Sequence, residues 1–138
     1  MIGILLVTHG RLAEELRAAA LTIQPGLERI VAVALEWSET GEDASEKIRR
    51  GLELADEGEG AVILTDMFGG TPSNLAMTFL GDKVEVITGV NLPMLIKLAD
   101  LGERANLLTA AREMREEGRA AIWVASDLLR GEKTAEKP

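Results

Sequence analysis

The chain has 138 residues, of which 46% are hydrophobic but only 3% aromatic, with no cysteine, one histidine and a formal net charge of −8. That length suits one domain with a real core, which has to be built from Leu, Ile, Val, Ala and Met. The acidic balance disfavours phosphate backbones and anionic membranes as partners, and the lack of cysteine excludes a disulfide framework or a thiolate metal centre.

In chain order, short apolar runs alternate with segments of helical period. The first run, residues 2–7, has no cationic lead and is too short for a signal-peptide core or a membrane span, so a soluble, unexported, cytoplasmic protein is expected. Leu12, Leu16, Ala19, Ala20 and Ile23 then share one face of a first helix. A second run covers residues 30–35, and a second helix shows Ala44, Ile48, Leu52 and Ala55 on one side. A third run covers residues 61–65. Thr71 followed by Pro72 reads as a helix cap and first position, opening a third helix to about Leu80. After a fourth run at residues 84–88, a helix starting near residues 91–93 runs to about Leu101. It is apolar almost all round, through Leu92, Met94, Leu95, Ile96, Leu98, Ala99 and Leu101, with Lys97 the exception. A surface helix of a small domain should have a polar face, so this one is either central in the fold or covered by another subunit, and a subunit interface is the favoured expectation. A fifth helix over about residues 105–117 should stop at Gly118. Around its end Arg112, Arg115 and Arg119 alternate with Glu113, Glu116 and Glu117, a solvated helix face rather than a nucleic-acid patch. A fifth apolar run follows at residues 120–124. One domain is expected over residues 1–128, followed by a charged, aperiodic, flexible tail at 129–138.

The runs are continuously hydrophobic rather than alternating, as in parallel strands covered on both faces. Their alternation with helices predicts an α/β fold, a doubly wound sheet with right-handed crossovers. In such sheets ligands bind outside the carboxyl ends of the strands. Four segments should meet there: residues 8–10, residues 37–38, residues 66–71 and residues 89–91. His9 ends the first run as Asp66 ends the third. If the two strands are neighbours, the carboxylate can bond one ring nitrogen, fix the tautomer and leave the other nitrogen as a nucleophile. Gly69 and Gly70 allow a close backbone approach, and the helix start behind them offers free N–H groups for an anion, with the Thr71 and Ser73 hydroxyls as further donors. Gly10 completes the expected phosphate-binding set of Gly10, Gly69, Gly70, Thr71 and Ser73. Together these parts point to phosphoryl transfer better than to any other reaction. Taken singly, each also has a structural reading: a satisfied strand-end histidine, an aspartate capping a turn, a glycine connector. The glycine turn is not a P-loop, because the lysine that follows the second glycine in that motif is missing. No elbow serine with flanking glycines is present, and one histidine without cysteine makes no transition-metal site, so no metal or other cofactor is expected.

Three blocks, residues 7–14, 64–76 and 88–95, resemble the IIA domain of the mannose family of the bacterial phosphoenolpyruvate-dependent sugar phosphotransferase system. The resemblance covers about residues 1–125. It implies a four-stranded parallel sheet with an antiparallel fifth edge strand, here residues 120–124, exchanged between the subunits of a homodimer. It implies that His9 accepts a phosphoryl group from phospho-HPr and passes it to a IIB component on a separate polypeptide for sugar uptake. Asp66 matches the aspartate that bonds the active imidazole, and Thr71 the hydroxyl residue at the phosphate cradle. The membrane is involved only indirectly, through transporter components. A regulatory IIA role without a full transporter, or phosphoryl donation to dihydroxyacetone kinase, fits the same resemblance. A noncatalytic α/β interaction module is the alternative of another class. Arg11 stands where some relatives carry an aromatic residue, and Trp37 receives no role.

Overall fold

The computed structural model describes residues 2–101 and 106–131. Four of the apolar runs form one sheet of β1 (Gly3–His9), β2 (Val31–Leu35), β3 (Ala61–Thr65) and β4 (Val84–Thr88). All neighbours are parallel, in the spatial order β2-β1-β3-β4. Every residue of β3 and all but the last of β1 are buried, the reason their sequences do not alternate. β1 continues past the apolar run through Thr8 and ends at His9, as expected.

The helices are α1 (Leu12–Ile23), α2 (Gly41–Ala55), α3 (Thr71–Met77), α4 (Leu92–Ile96), α5 (Leu98–Leu101), α6 (Leu107–Ala120) and α7 (Ala125–Leu129). On one side of the sheet, Ala13 and Ala20 of α1, Met94 and Leu95 of α4, and Ala111 and Met114 of α6 pack on Ile4, Leu6, Val62 and Leu64. On the other, Ala44, Ile48 and Ala55 of α2 and Ala76 of α3 pack on Leu5, Val7 and Ile63. Each fully buried Leu or Ile in these layers contributes about 1.5–3 kcal/mol of hydrophobic free energy. The chain leaves β1 outward toward β2 through α1, and leaves β3 outward toward β4 through α3 on the opposite side. The direction of winding therefore reverses between β1 and β3, which opens a crevice at their carboxyl ends. Among the described residues, no helix is long and apolar enough to cross a membrane.

Several local expectations are corrected. In α1 Ala13 and Ala20 are buried and Leu16 is half-buried beside them, whereas Leu12 and Ile23 are exposed; the Thr8 hydroxyl accepts the Ala13 N–H at 2.7 Å and ties the first turn to β1 at that residue. Gly70, not Thr71, occupies the cap position of α3, and the helix ends at Met77. The apolar fourth helix is divided into α4 and α5 at Lys97. Within it Met94 and Leu95 are buried in the core, while Leu92, Ile96 and Leu98 are half-buried. Gly118 lies inside α6 instead of ending it. A Cβ there would come within 2.7 Å of Met94 Cε and 3.1 Å of Asn91 Oδ1, so this glycine serves close helix packing, where a side chain would displace Met94, rather than a cap. Ala120 still belongs to α6, and within this chain residues 122–124 are not a strand. The side chains of Ile122, Trp123 and Val124 are exposed. Of the expected tail, Leu129 belongs to α7, and residues 132–138 lie outside the described residues.

Two carboxylates brace loops near the sheet ends. Asp56 accepts the N–H groups of Gly58 and Gly60 at 2.8 and 2.9 Å, which hold its pKa below the ordinary 3.8. Glu39 is paired with Lys47, which holds its pKa below 4.5. A depressed folded-state pKa gives stability that is present above the unfolded value and lost as pH falls through the folded one. Thermal midpoints should therefore hold from neutral pH down to the ordinary carboxylate range near 4.5 and decline below it, as these groups are protonated. A midpoint that stays level over the acid interval would show that neither brace stabilises the fold.

Candidate active site

Side chains alternate along β1, so His9 projects to the same side as Leu5 and Val7, toward α2 and α3. Asp66 directly follows β3, the strand paired with β1, in a register that sets Val7 opposite Thr65. The two candidate residues thus emerge side by side at the crevice where the winding reverses. Asp66 Oδ2 lies 2.8 Å from His9 Nδ1 and also accepts the His9 backbone N–H at 3.1 Å, while Oδ1 accepts the Met67 N–H at 3.1 Å. A carboxylate only accepts hydrogen bonds, so Nδ1 carries the hydrogen, and in the neutral ring Nε2 keeps its in-plane lone pair. The His9 side chain is 23% exposed and that of Asp66 14%, which shelters the pair without closing it from solvent.

The glycine turn wraps the other edge of the ring. A Cβ on Gly70 would stand 2.7 Å from His9 Cε1 and 2.9 Å from Nε2, so only glycine lets the backbone pass so near the free nitrogen. Gly69 has φ +96°, a left-handed value that favours glycine. Its N–H donates to Ser73 Oγ at 2.9 Å, and the Ser73 hydroxyl donates to the Gly70 carbonyl at 3.2 Å. The Gly10 N–H donates to the Leu35 carbonyl at 3.0 Å. Three of the expected phosphate ligands are therefore engaged in building the turn and the strand end: Ser73 is fully buried, and the N–H groups of Gly69 and Gly10 have protein acceptors. Gly70 and Thr71 border the open edge. Thr71 is exposed at the first position of α3, where N–H groups have no intrahelical acceptor.

The segment after β4 serves the frame rather than the imidazole. The Gly89 and Val90 N–H groups donate to the Thr65 carbonyl at 2.9 and 3.0 Å. Asn91 caps α4 through Met94 N–H at 3.1 Å and donates to the Gly118 carbonyl at 3.0 Å. Arg11 is exposed and pairs with Glu14 and Glu15. An apolar cleft lined in part by Ile2, Ile4, Leu27, Ile30 and Met114 lies at the amino end of β1, the end opposite His9.

Sequence reasoning left Trp37 without a role, yet its indole stacks on the His9 ring, with centroids 5.2 Å apart and planes inclined by 25°. The available signal was a large aromatic just past a strand in a chain with only two Trp and two Phe. Met67 and Phe68 add exposed apolar side chains to the Asp66–Gly70 loop.

A strand-end histidine bonded by a neighbouring aspartate, at the winding reversal of a parallel sheet, gives an α/β domain with one candidate site at its carboxyl edge. The chain belongs to the family described as the PTS system fructose IIA component, whose pattern matches residues 3–116. It is 28% identical over 137 residues to the fructose-specific EIIA component of the phosphotransferase system of Bacillus subtilis strain 168, covering 98% of this chain and 94% of that one. It is 36% identical over 98 residues to the mannose-specific EIIAB component of Escherichia coli K12, covering 70% of this chain but only 30% of that longer protein. The solved mannose/sorbose-specific IIA subunit from Enterococcus faecalis superposes with a TM-score of 0.79 at 28% identity, covering 89% of this chain and 93% of that one. An EIIA component from Streptococcus agalactiae, at 22% identity and a TM-score of 0.79, shares the fold, covering 91% of this chain and 98% of that one. The protein is accordingly a phosphocarrier component of the sugar phosphotransferase system.

Proposed function

We propose that His9 is the phosphoryl carrier: Nε2 accepts the group from phospho-HPr and delivers it to a IIB-type component on another polypeptide, in the cytoplasm. The observation that carries this reading is the 2.8 Å contact between His9 Nδ1 and Asp66, which leaves Nε2 free beside the backbone of Gly70. Attack on phosphorus places positive charge on the imidazole, and a carboxylate bonded to the far nitrogen opposes that charge where it develops. Gly70 and Thr71 border the place the phosphoryl oxygens would occupy, with N–H groups at the start of α3 available to them. Both half-reactions move phosphorus between ring nitrogens, so the site has to orient the partners and balance charge rather than overcome a large driving force. The relatives carry fructose, mannose and sorbose in their names, and the sugar itself meets other components in this reading.

A homodimer belongs to the same proposal. β4 has a sheet neighbour on one side only, and an open strand edge is a template for another strand. Ile122, Trp123 and Val124 leave α6 as an exposed apolar segment, suited to pair with that edge in a second copy. Size-exclusion chromatography with light scattering should give twice the chain mass; the mass of one chain would remove the exchange.

Incubation with phosphoenolpyruvate, Enzyme I and HPr should add one acid-labile phosphoryl group per chain, located on His9 by peptide mass spectrometry. Incorporation on a different residue, or none, would overturn the carrier assignment.

A further inference from the structure

We infer that Trp37 is a positioning residue for phosphoryl transfer, acting on the His9 ring; the inference rests on the carrier reading given above. Asp66 holds the imidazole at Nδ1, and Gly70 limits its opposite edge. A single in-plane hydrogen bond still lets a ring tilt about the bonded atom. The stacked indole, 5.2 Å away and 25° from parallel, covers one face and opposes that tilt. It keeps the Nε2 lone pair, which lies in the ring plane, directed into the opening beside Gly70.

Trp37 is 80% exposed, so burial in the core does not account for its position. Its loop is braced instead. The Glu36 N–H donates to Glu39 Oε1 at 2.8 Å, and the Glu39 N–H returns a bond to the Glu36 carbonyl at 3.2 Å. Lys47 pairs with Glu39 and donates to the Ala34 carbonyl at 3.2 Å, fixing the loop to the end of β2. On the far side, the Thr40 hydroxyl accepts the Asp43 N–H at 3.0 Å and caps α2. The indole nitrogen lies over Gly10, where a Cβ would already be 3.9 Å from Nε1.

The indole also meets the charge of the reaction. The Nε2 lone pair forms the new N–P bond while the donor's P–N bond breaks, and that electron pair returns to the donor ring. The donor ring, protonated on its other nitrogen, leaves as neutral imidazole; His9 keeps its Nδ1 hydrogen and becomes the cationic ring. The positive charge thus moves with the phosphoryl group onto an imidazole that faces an aromatic π-system, a favourable cation–π arrangement.

Two donors separate positioning from docking. Phospho-HPr must dock on the protein, whereas phosphoramidate is a small donor whose P–N bond breaks with loss of ammonia. Trp37→Leu should lower kcat with phospho-HPr about tenfold with KM within about twofold, and should slow phosphorylation by phosphoramidate by a similar factor. Trp37→Phe, which retains a stacking ring, should recover to within about threefold of the parent with both donors. A Trp37→Leu variant unchanged with phosphoramidate, or altered only in KM for phospho-HPr, would overturn the inference while leaving the carrier reading intact. A parent protein phosphorylated by neither donor would remove both.

Discussion

Replacing His9 with alanine should abolish phosphoryl incorporation while leaving a folded protein. In the proposed reaction this imidazole is the nucleophile, and it is the one histidine in the chain, so no second imidazole can take over. The rate should fall by at least about ten-thousandfold, the scale on which removal of a covalent nucleophile acts. The fold should tolerate the change. Asp66 loses the ring but keeps the backbone N–H groups of His9 and Met67 as donors, so no buried carboxylate is left unpartnered. The cost should be about 1 kcal/mol, the scale of one hydrogen bond lost at a partly exposed position. Labelling with phospho-HPr and a thermal melt of the same sample test both halves. Incorporation persisting in the variant would place the acceptor elsewhere, and a collapsed melt would mean that His9 is a structural residue.

The second large effect is expected at Asp66→Asn, where size is conserved and chemistry is not. Asp66 accepts three hydrogen bonds, two on Oδ2 and one on Oδ1. An asparagine has one accepting oxygen. If that oxygen faces His9, the amide NH2 opposes the Met67 N–H. If it faces Met67, the NH2 points at Nδ1 and favours the tautomer with hydrogen on Nε2, the nitrogen that has to attack. Either placement sacrifices an interaction, and both remove the negative charge that offsets the phosphoryl-imidazolium. Transfer should slow by about a hundredfold to a thousandfold in kcat with little change in KM, because the loss is felt where charge develops. Steady-state kinetics with phospho-HPr will show it; a kcat equal to the parent's would deny the carboxylate any part in the transfer.

The pair at the centre of both experiments was legible in the sequence because strand ends are legible. Two continuous apolar runs stopped at Thr65 and near His9, and parallel sheets gather such ends along one edge. β3 and β4 matched their expected limits residue for residue. What escaped detection depends on contacts between segments distant in the chain. Gly118 reads locally as a helix stop, and only the approach of Met94 and Asn91 shows what a glycine inside the helix accommodates. Ser73 reads as a spare hydroxyl, but its buried bonds to Gly69 and Gly70 spend it on the shape of the turn. Leu12 and Ile23 satisfy a helical period and still face water, since period alone does not say which of two adjacent stripes meets the sheet. Trp37 could be noticed but not placed, because stacking on His9 depends on how a braced loop folds back over a neighbouring strand. The apolar run at residues 120–124 has strand composition, yet Ala120 closes α6 and residues 122–124 pair with no strand among the described residues.

The partial openness of the His9 edge has a consequence for lifetime. A phosphoryl group on Nε2 would sit within reach of bulk water, since the His9 side chain is 23% exposed. Such a domain suits a courier better than a reservoir: handover has to outrun spontaneous decay, and the share of charged molecules at any moment would track supply from upstream almost without memory.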